Sequence, residues 1–375
     1  MTASEYIGRH LSEGVRGATI NAIASSMPEV FTSLFFLFIL QDAEGFSGGI
    51  GTTAGSAIFN SMVIPSAAVL AVIGMRLTKQ VQVSRKVMLR DGISLIIAEL
   101  IFLILISGST LYWYHGMILM LVYVVYILYM FTTMRKSQKK AREEGEDEAQ
   151  EPIFEVNEEP QGPFVKGLLT FDLERVFIGN NKISNLRAWS LLIFSTISIA
   201  LVCYFLVLAC EWIGAESYSV AGLGEFSGLG IPVMFVALIL ASAASSFPDT
   251  IISIKDAKRG QYDDAISNAL GSNIFDICFA LGFPLFIFTI IHGPLEMPPE
   301  IVDLSSELRL LLWLLTVLAV IIFTSGKYFG KGKSMLLLGI YVLFVVYIVG
   351  RGSGSELAQS IADFLVSIVK AFRIG

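Results

Sequence analysis

Cysteine and histidine are scarce in this chain of 375 residues, which contains three of each. The cysteines are odd in number and show neither CxxC nor metal-type spacing: Cys203, Cys210 and Cys278. The sequence therefore predicts neither a disulfide framework nor a zinc site, and the histidines are too scattered to form a cluster. We expect the thiols to pack as small apolar groups and the protein to carry no prosthetic group.

Charged residues are also few, at 15% of the chain against 54% hydrophobic residues, and the mean hydropathy is +0.71. The hydrophobic fraction is above that of a typical globular protein, and the charged fraction is below it. A helix that crosses a membrane needs about 20 apolar residues. Nine runs approach this length, near 17–40, 46–74, 91–109, 111–133, 189–212, 230–254, 264–291, 308–325 and 334–350. The sequence thus predicts an all-α, polytopic integral membrane protein with about nine transmembrane helices.

A signal-peptide pattern is missing from residues 1–14, so insertion is expected to begin with the first run. Lys and Arg cluster between or after alternate runs: at 76–90, 135–142, 255–259 and 327–333. The loops at 41–45, 213–229 and 292–307 carry acids and neither Lys nor Arg. By the positive-inside rule the basic side is cytoplasmic, in a plasma or inner membrane. The N-terminus is then cytoplasmic, and the ninth run ends outside.

The polar stretch 134–188 divides the chain into two membrane halves, 1–133 and 189–350. It starts with a basic run and becomes rich in Glu, but shows no EF-hand order of ligands. A solvated cytoplasmic linker is favoured over a calcium sensor. The tail, 351–375, places Leu357, Ile361, Leu365, Ile368 and Phe372 along one helical face. This pattern favours an interfacial amphipathic helix over a tenth span.

The two halves share a short polar motif inside apolar runs. Ser25-Ser26-Met27-Pro28-Glu29 recurs as Ser245-Ser246-Phe247-Pro248-Asp249. A carboxylate at membrane depth is costly and marks a functional site by default. Each proline removes a helical hydrogen bond and frees a carbonyl that can face a cation. The motif therefore predicts two interrupted helices that meet at a cation site.

A second motif recurs in the same order. The segment from Gly51 to Asn60 aligns with the segment from Ser267 to Asp276, and both contain a Gly-Ser pair. Ser56 and Asn60 are four residues apart, as are Ser272 and Asp276, so each pair shares a helix face. Under the charge-derived topology the first motif runs outward in one half and inward in the other. The sequence thus predicts inverted repeats of the kind found in secondary transporters.

Summed over both halves, the candidate ligands are hard oxygen donors. They comprise three carboxylates, one amide and six hydroxyls: Glu29, Asp249, Asp276, Asn60, Ser25, Ser26, Ser56, Ser245, Ser246 and Ser272. Ca²⁺ takes 6–8 oxygen ligands in flexible geometry, whereas zinc and copper prefer sulfur and imidazole. The composition of the cluster therefore favours Ca²⁺, with Na⁺ able to share the same oxygens.

These motifs resemble the α-repeats of the calcium/cation antiporter superfamily, the sodium/calcium exchangers. The similarity covers residues 15–75 and 230–290, with the motifs at 17–66 and 230–284, and is greatest to the potassium-dependent branch. It implies that Glu29 and Asp249 are the central ligands and that the other eight surround them. It also implies sodium ligands at the carbonyls of Ala22 and Ser242, and a link between Asp276 and potassium.

Two departures from the family pattern stand out. The family normally has ten spans, so the first helix is expected to lie upstream of this start or to be dispensable. Thr52 and Ala57 stand where the family commonly has asparagine, whereas Asn268 and Asn273 keep it in the second half.

The expected function is secondary antiport of sodium against calcium by alternating access, with K⁺ as a possible third ion. The expected partners are inorganic cations and the lipid bilayer, with neither nucleic acid nor an obligate protein partner. A calcium/proton antiporter is the first alternative, although its usual Gly-Asn-x-x-Glu pattern is missing. An intramembrane aspartyl protease would also pair two acids, but its Gly-x-Gly-Asp signature is missing. A nonspecific channel would show flux without counter-ion dependence.

Overall fold

The computed structural model describes residues 2–7, 22–143, 167, 170, 172–179, 183–220 and 222–372. Most of the predicted linker, 134–188, and residues 17–21 of the first predicted span lie outside these ranges. The helices are α1 (Thr2–Ile7), α2 (Ala22–Ser25), α3 (Met27–Leu40), α4 (Ala43–Gly74), α5 (Arg85–Leu105), α6 (Trp113–Glu143), α7 (Leu173–Phe177), α8 (Asn185–Gly214), α9 (Val233–Ser245), α10 (Phe247–Lys258), α11 (Tyr262–His292), α12 (Pro299–Thr324), α13 (Lys331–Gly352) and α14 (Glu356–Phe372). The strands are β1 (Val81–Gln82), β2 (Thr110–Leu111), β3 (Ser217–Val220), β4 (Gly224–Ser227), β5 (Leu295–Glu296) and β6 (Tyr328–Phe329).

The described parts of all nine predicted apolar runs fall mainly on helices, but fewer than nine of these helices can span a membrane by length and composition. Six pass, and a seventh is obtained if α9 and α10 count as one bent span. Helix α3 has only 14 residues, because the break before it divides the first run. Helix α5 contains several charged residues, and the buried ones find partners inside the bundle. Asp91 accepts from Ser267 at 2.6 Å, and Glu99 accepts from Thr316 at 2.8 Å.

The predicted interruptions lie at the same point in both halves. Ser26 has φ −88° and ψ 10°, and Ser246 has φ −79° and ψ 0°, so each serine leaves the helical geometry. Pro28 and Pro248 then lie in the first turn of the next helix, where a missing N–H costs little. Helices α9 and α10 are bent by 40° at this break. The proline-containing motif thus forms two helix breaks, as predicted.

The helix directions show that the two halves are inverted. Helices α3 and α4 are joined by two residues and pack as an antiparallel hairpin. Gly51 of α4 lies against Met234, and Gly55 lies against Leu238, so residue numbers rise together along α4 and α9. Helix α4 is therefore parallel to α9, and α3 is antiparallel to it. The two copies of the proline motif run in opposite directions through a common core.

Short β-ladders join loops that the charge pattern assigns to the same side of the membrane. Strand β1 pairs with β6 through Val81 and Phe329, so the basic loops after α4 and α12 lie together. Strand β2 pairs with β5 through Leu111 and Leu295 at the opposite end. Strands β3 and β4 form a hairpin after α8. The first ladder thus joins two basic loops at one end of the bundle, and the second joins two loops without Lys or Arg at the other end. The distribution of Lys and Arg predicts this arrangement.

The C-terminal helix α14 packs on α12 and α13, and its buried face matches the predicted one only in part. Leu365 is buried with Val369 against Leu310, and Ile368 packs against them. Two other members of the predicted face are exposed, Leu357 at 73% and Ile361 at 41%. Ala358 and Ala362 complete the buried face. Small alanines allow close helix approach, so tertiary packing selects a stripe that a search for large apolar residues misses.

A buried ion pair connects α12 to α13. Arg351 donates to both carboxylate oxygens of Glu307, at 3.0 and 2.9 Å, and Tyr347 donates to Glu307 at 2.6 Å. Glu307→Ala would leave a largely buried guanidinium without its carboxylate acceptor, with only Gln359 remaining among the described residues. We expect a loss of about 2 kcal/mol of stability, measured by unfolding in detergent. Lys370→Ala breaks the exposed pair with Asp303 and is the control, with a cost below about 1 kcal/mol. Equal losses in both variants would contradict this prediction.

Candidate functional site

Eleven of the twelve predicted site residues are almost completely buried in the core where the two halves meet. Their side chains are at most 3% exposed: Glu29, Asp249, Asp276, Asn60, Ser25, Ser26, Ser56, Ser242, Ser245, Ser246 and Ser272. Ala22, the twelfth, is the first residue of α2. They lie on α2, α3, α4, α9, α10 and α11, at or next to the two helix breaks. Burial of so many polar groups together is what a transport site requires and what an apolar core avoids.

Ser56 connects the two halves of the site. Its hydroxyl lies 3.0 Å from Glu29 Oε1 and 3.4 Å from Asp276 Oδ2. It also lies 2.6 Å from the Ser246 hydroxyl at the second helix break. One serine of α4 therefore reaches a carboxylate of the first half, and a carboxylate and a hydroxyl of the second.

Asp249 has a separate set of neighbours. Ser272 donates to its Oδ1 at 3.1 Å, and the amide nitrogen of Asn268 lies 3.5 Å from the same oxygen. Ser25 and Asn60, from the first half, also adjoin this carboxylate. Asp249 is thus contacted from both repeats. Glu29 is as well, because it adjoins Ser56 of the first half and Ser245 of the second.

Each of the three carboxylates leaves one oxygen without a hydrogen bond within the described residues. These atoms are Glu29 Oε2, Asp249 Oδ2 and Asp276 Oδ1. The Asn60 amide adjoins Asp249 but makes no well-formed hydrogen bond in this part of the chain. The ion pairs in this part of the chain involve other acids. Buried carboxylate oxygens without a donor or a positive charge are costly. Cations that enter the site as cargo would supply the missing partners, so the donor set fits hard metal ions.

The acids do not form a compact three-carboxylate cluster. Among the described residues, no three Asp, Glu, His or Cys side chains converge closely enough to hold one metal ion. An ion here would be held by fewer carboxylates together with hydroxyl, amide and carbonyl oxygens, which is ordinary chemistry for Ca²⁺ and Na⁺.

Comparison with known proteins identifies the family. A sequence profile described as sodium/calcium exchanger protein matches residues 1–132 and 187–350. The chain belongs to the sodium/calcium exchanger family. This makes it an integral membrane protein of a family of exchangers rather than enzymes, and excludes the aspartyl protease alternative. The similarity to sodium/potassium/calcium exchangers that the repeat motifs predict is confirmed.

Two human relatives are similar in sequence, and two solved structures share the fold. Sodium/potassium/calcium exchanger 5 of Homo sapiens is 28% identical, over 76% of this chain and 65% of its own length. Sodium/potassium/calcium exchanger 4 of Homo sapiens is 24% identical, over 89% and 74%. The sodium-calcium exchanger NCX_Mj shares the fold with a TM-score of 0.53 and 21% identity, over 92% of this chain and 90% of that one. The H⁺/Ca²⁺ exchanger CAX does so with a TM-score of 0.55 and 13% identity, over 99% and 82%.

Two wide π-helical turns flank the site of this family member and were not predicted from the sequence. One covers Ala237–Ala241 in α9, and the other covers Asp276–Ala280 in α11. In the second, the amide of Leu281 donates to the carbonyl of Asp276 at 3.2 Å, five residues back. The aligned position in the first half, Asn60, lies in regular α-helix. Such turns occur often at functional sites, and no local sequence signal marks them.

Asn268 and Asn273 join the site although they were not among the candidate ligands. Asn268 contacts Asp249, and Asn273 donates to the Ala57 carbonyl and to Ser61, both at 2.9 Å. The repeat alignment passed over them because the first half has Thr52 and Ala57 there. The family resemblance, which places asparagine at both positions, was the signal that could have identified them.

The carbonyl of Ser242, a predicted sodium ligand, already accepts two hydrogen bonds. The Ser246 amide donates to it at 3.0 Å and the Ser245 hydroxyl at 3.2 Å. An ion at the Ser242 carbonyl would therefore have to displace the Ser245 hydroxyl. At the first helix break, the Cys203 thiol lies 3.6 Å from the Pro28 carbonyl, next to Glu29.

Proposed function

We propose that this protein exchanges sodium for calcium across a membrane by alternating access, at the site formed by Glu29, Asp249 and Asp276. One observation carries the proposal. Three buried carboxylates, contributed by both repeats, each keep one oxygen without a partner in the described residues. The other nine predicted residues would act with them: Asn60, Ser25, Ser26, Ser56, Ser245, Ser246 and Ser272 through side chains, and Ala22 and Ser242 through carbonyls.

Coupling would follow from competition for the same oxygens. Ca²⁺ would dehydrate onto the carboxylates of both halves, and Na⁺ would compete for them together with the hydroxyls near the breaks. The carboxylates have too little negative charge to bind Ca²⁺ and the Na⁺ ions at the same time, so each ion type weakens the binding of the other. Ser56 connects Glu29 to Ser246 and Asp276. An ion bound at one acid would therefore change the hydrogen bonds that Ser56 makes to the other groups.

The charge pattern supports an orientation for this cycle. The basic loops at β1 and β6 adjoin each other, which is consistent with one cytoplasmic face. In this orientation the N-terminus and the linker 134–188 are cytoplasmic, in a plasma or inner membrane. We propose that Ca²⁺ leaves the cytoplasm as Na⁺ enters.

Purified protein in liposomes would test the proposal through radiolabelled calcium uptake driven by an outward sodium gradient. A parallel arm replaces the sodium gradient with a pH gradient, and a third has neither. Uptake in the sodium arm alone supports the proposed exchange. Uptake in the pH arm alone would instead favour calcium/proton antiport, and uptake that is equal in all arms would indicate a channel.

Potassium co-transport depends on Asp276 in this proposal. We expect K⁺ to stimulate calcium uptake in the sodium arm, because the chain resembles the potassium-dependent exchangers at this position. In this proposal Asp276 would hold K⁺, whereas Glu29 and Asp249 are the central Ca²⁺ ligands. Asp276→Asn removes one charge but keeps an oxygen ligand, so exchange without K⁺ should persist while the stimulation by K⁺ is lost. The measurement is the initial rate of calcium uptake against K⁺ concentration, for the unsubstituted protein and for Asp276→Asn. An unsubstituted protein that ignores K⁺ would refute the potassium part of the proposal and leave sodium/calcium exchange intact.

A further inference from the structure

Two buried serines outside the proposed ligand set occupy equivalent positions in the two repeats. Ser33 lies four residues after Glu29, and Ser253 lies four residues after Asp249. The side chain of Ser33 is 1% exposed and that of Ser253 is 0% exposed. Residues four apart share a helix face, so each hydroxyl lies one turn beyond a central carboxylate on the same face.

Neither hydroxyl has a hydrogen-bond partner within the described residues. This is unusual, because a serine or threonine in an apolar helix normally donates to the carbonyl three or four residues back. Thr32 does so at 2.8 Å, Thr53 at 3.1 Å and Ser66 at 2.6 Å. Ser33 and Ser253 are exceptions to a pattern that their neighbours follow. A buried hydroxyl without a partner is costly, and its occurrence at both repeat positions calls for a ligand.

The inverted repeats place the two serines on opposite sides of the carboxylates. Helix α3 runs antiparallel to α9 and α10, so one turn forward along α3 and one turn forward along α10 lead in opposite directions. A rise of about 1.5 Å per residue puts each hydroxyl about 6 Å along the axis from its carboxylate. Gly49 packs against Ser33, and the Leu281 side chain lies beside the same point.

We propose that Ser33 and Ser253 are transient contacts for the cation, each on one of the two alternately open pathways. Each hydroxyl would replace a water of the incoming ion just before the carboxylates bind it. In the charge-derived orientation α3 runs outward, so Ser33 serves the outer pathway and Ser253 the inner one. This inference rests on the proposed function, since it assigns the access routes of the same site.

The proposal predicts effects that are confined to one face of the membrane. We expect Ser33→Ala to raise the KM for Ca²⁺ in right-side-out vesicles by about two- to tenfold, the effect of losing one neutral contact, with no change in inside-out vesicles. Ser253→Ala should do the reverse. Ser66→Ala is the matched control, because this buried hydroxyl donates to its own helix, and should change neither KM. A change of equal size at both faces, or no change at either, would overturn the proposal.

Accessibility provides a readout that does not depend on transport. In a chain whose three native cysteines are replaced by alanine, Ser33→Cys and Ser253→Cys are exposed to a membrane-impermeant cationic thiol reagent. We expect labelling of the first only from outside and of the second only from inside, with Ca²⁺ slowing both reactions. Ser66→Cys should react from neither side. Labelling from both sides, or from neither, would refute the two pathways. If the unsubstituted chain moves no calcium, the proposed function fails, while the labelling still tests the serines.

Discussion

Glu29→Gln and Asp249→Asn are each expected to abolish sodium-driven calcium uptake in liposomes. Both substitutions preserve shape and remove one negative charge from a fully buried site. Two unit charges 4 Å apart interact by about 4 kcal/mol at an effective dielectric constant of 20, and a divalent ion doubles this value. Calcium affinity should therefore fall by at least about a thousandfold. The same loss is expected from either half, because both carboxylates contact residues of the opposite repeat.

Glu44→Gln provides the matched control for this prediction. Glu44 lies in the first turn of α4 and is exposed, so neutralising it removes the same charge without changing the buried site. Its uptake should equal that of the unsubstituted protein. Circular dichroism and detergent size exclusion would show that all three variants are folded. Uptake within tenfold of normal in folded Glu29→Gln or Asp249→Asn would remove that carboxylate from the centre of the proposed site.

Gly55→Ala is expected to reduce exchange by at least about a hundredfold, although it adds only one methyl group. A Cβ at this position would lie 2.2 Å from the Leu238 carbonyl oxygen and 2.7 Å from the Ser242 side chain. The carbonyl oxygen belongs to the backbone of α9, so the two helices must separate. Ser56 is the next residue, and its 2.6 Å contact with Ser246 would be lost. Displacement of a binding group by about 1 Å can cost a hundredfold in rate.

The control for this variant lies in the same helix. Gly74→Ala places a Cβ where no atom lies within 4 Å. Alanine favours helix over glycine by about 1 kcal/mol, so Gly74→Ala should leave uptake unchanged and stability unchanged or slightly higher. Initial uptake rate and thermal unfolding would be measured for both variants. Normal uptake by Gly55→Ala would show that close contact between α4 and α9 is not needed for exchange.

Much of the architecture could be predicted because its signals are local. Apolar runs of sufficient length indicate helices for a membrane, and proline beside a buried carboxylate indicates a break, which occurs at Ser26 and Ser246. The repetition of both motifs, with the distribution of Lys and Arg, predicted the inverted halves. Fewer of the described helices qualify as spans by length and composition than the nine predicted runs, because local hydropathy is not the only factor. Helix α5 carries Asp91 and Glu99, and their partners on other helices cannot be identified from apolar runs.

The sequence by itself determined the family, the helical membrane class and the residue types of the candidate site, since motif identity and hydropathy are properties of short segments. Only the tertiary structure decided which side chains meet. Ser56 lies 190 residues from Ser246 and 220 from Asp276, and contacts of that separation depend on how helices pack. The same holds for the contact of Asn273, on α11, with the Ala57 carbonyl of α4, and for the π-helical turn at Asp276. The hydroxyls of Ser33 and Ser253 have no partner in the part of the chain that the structure describes, and this likewise became visible only once the neighbouring donors and acceptors had positions.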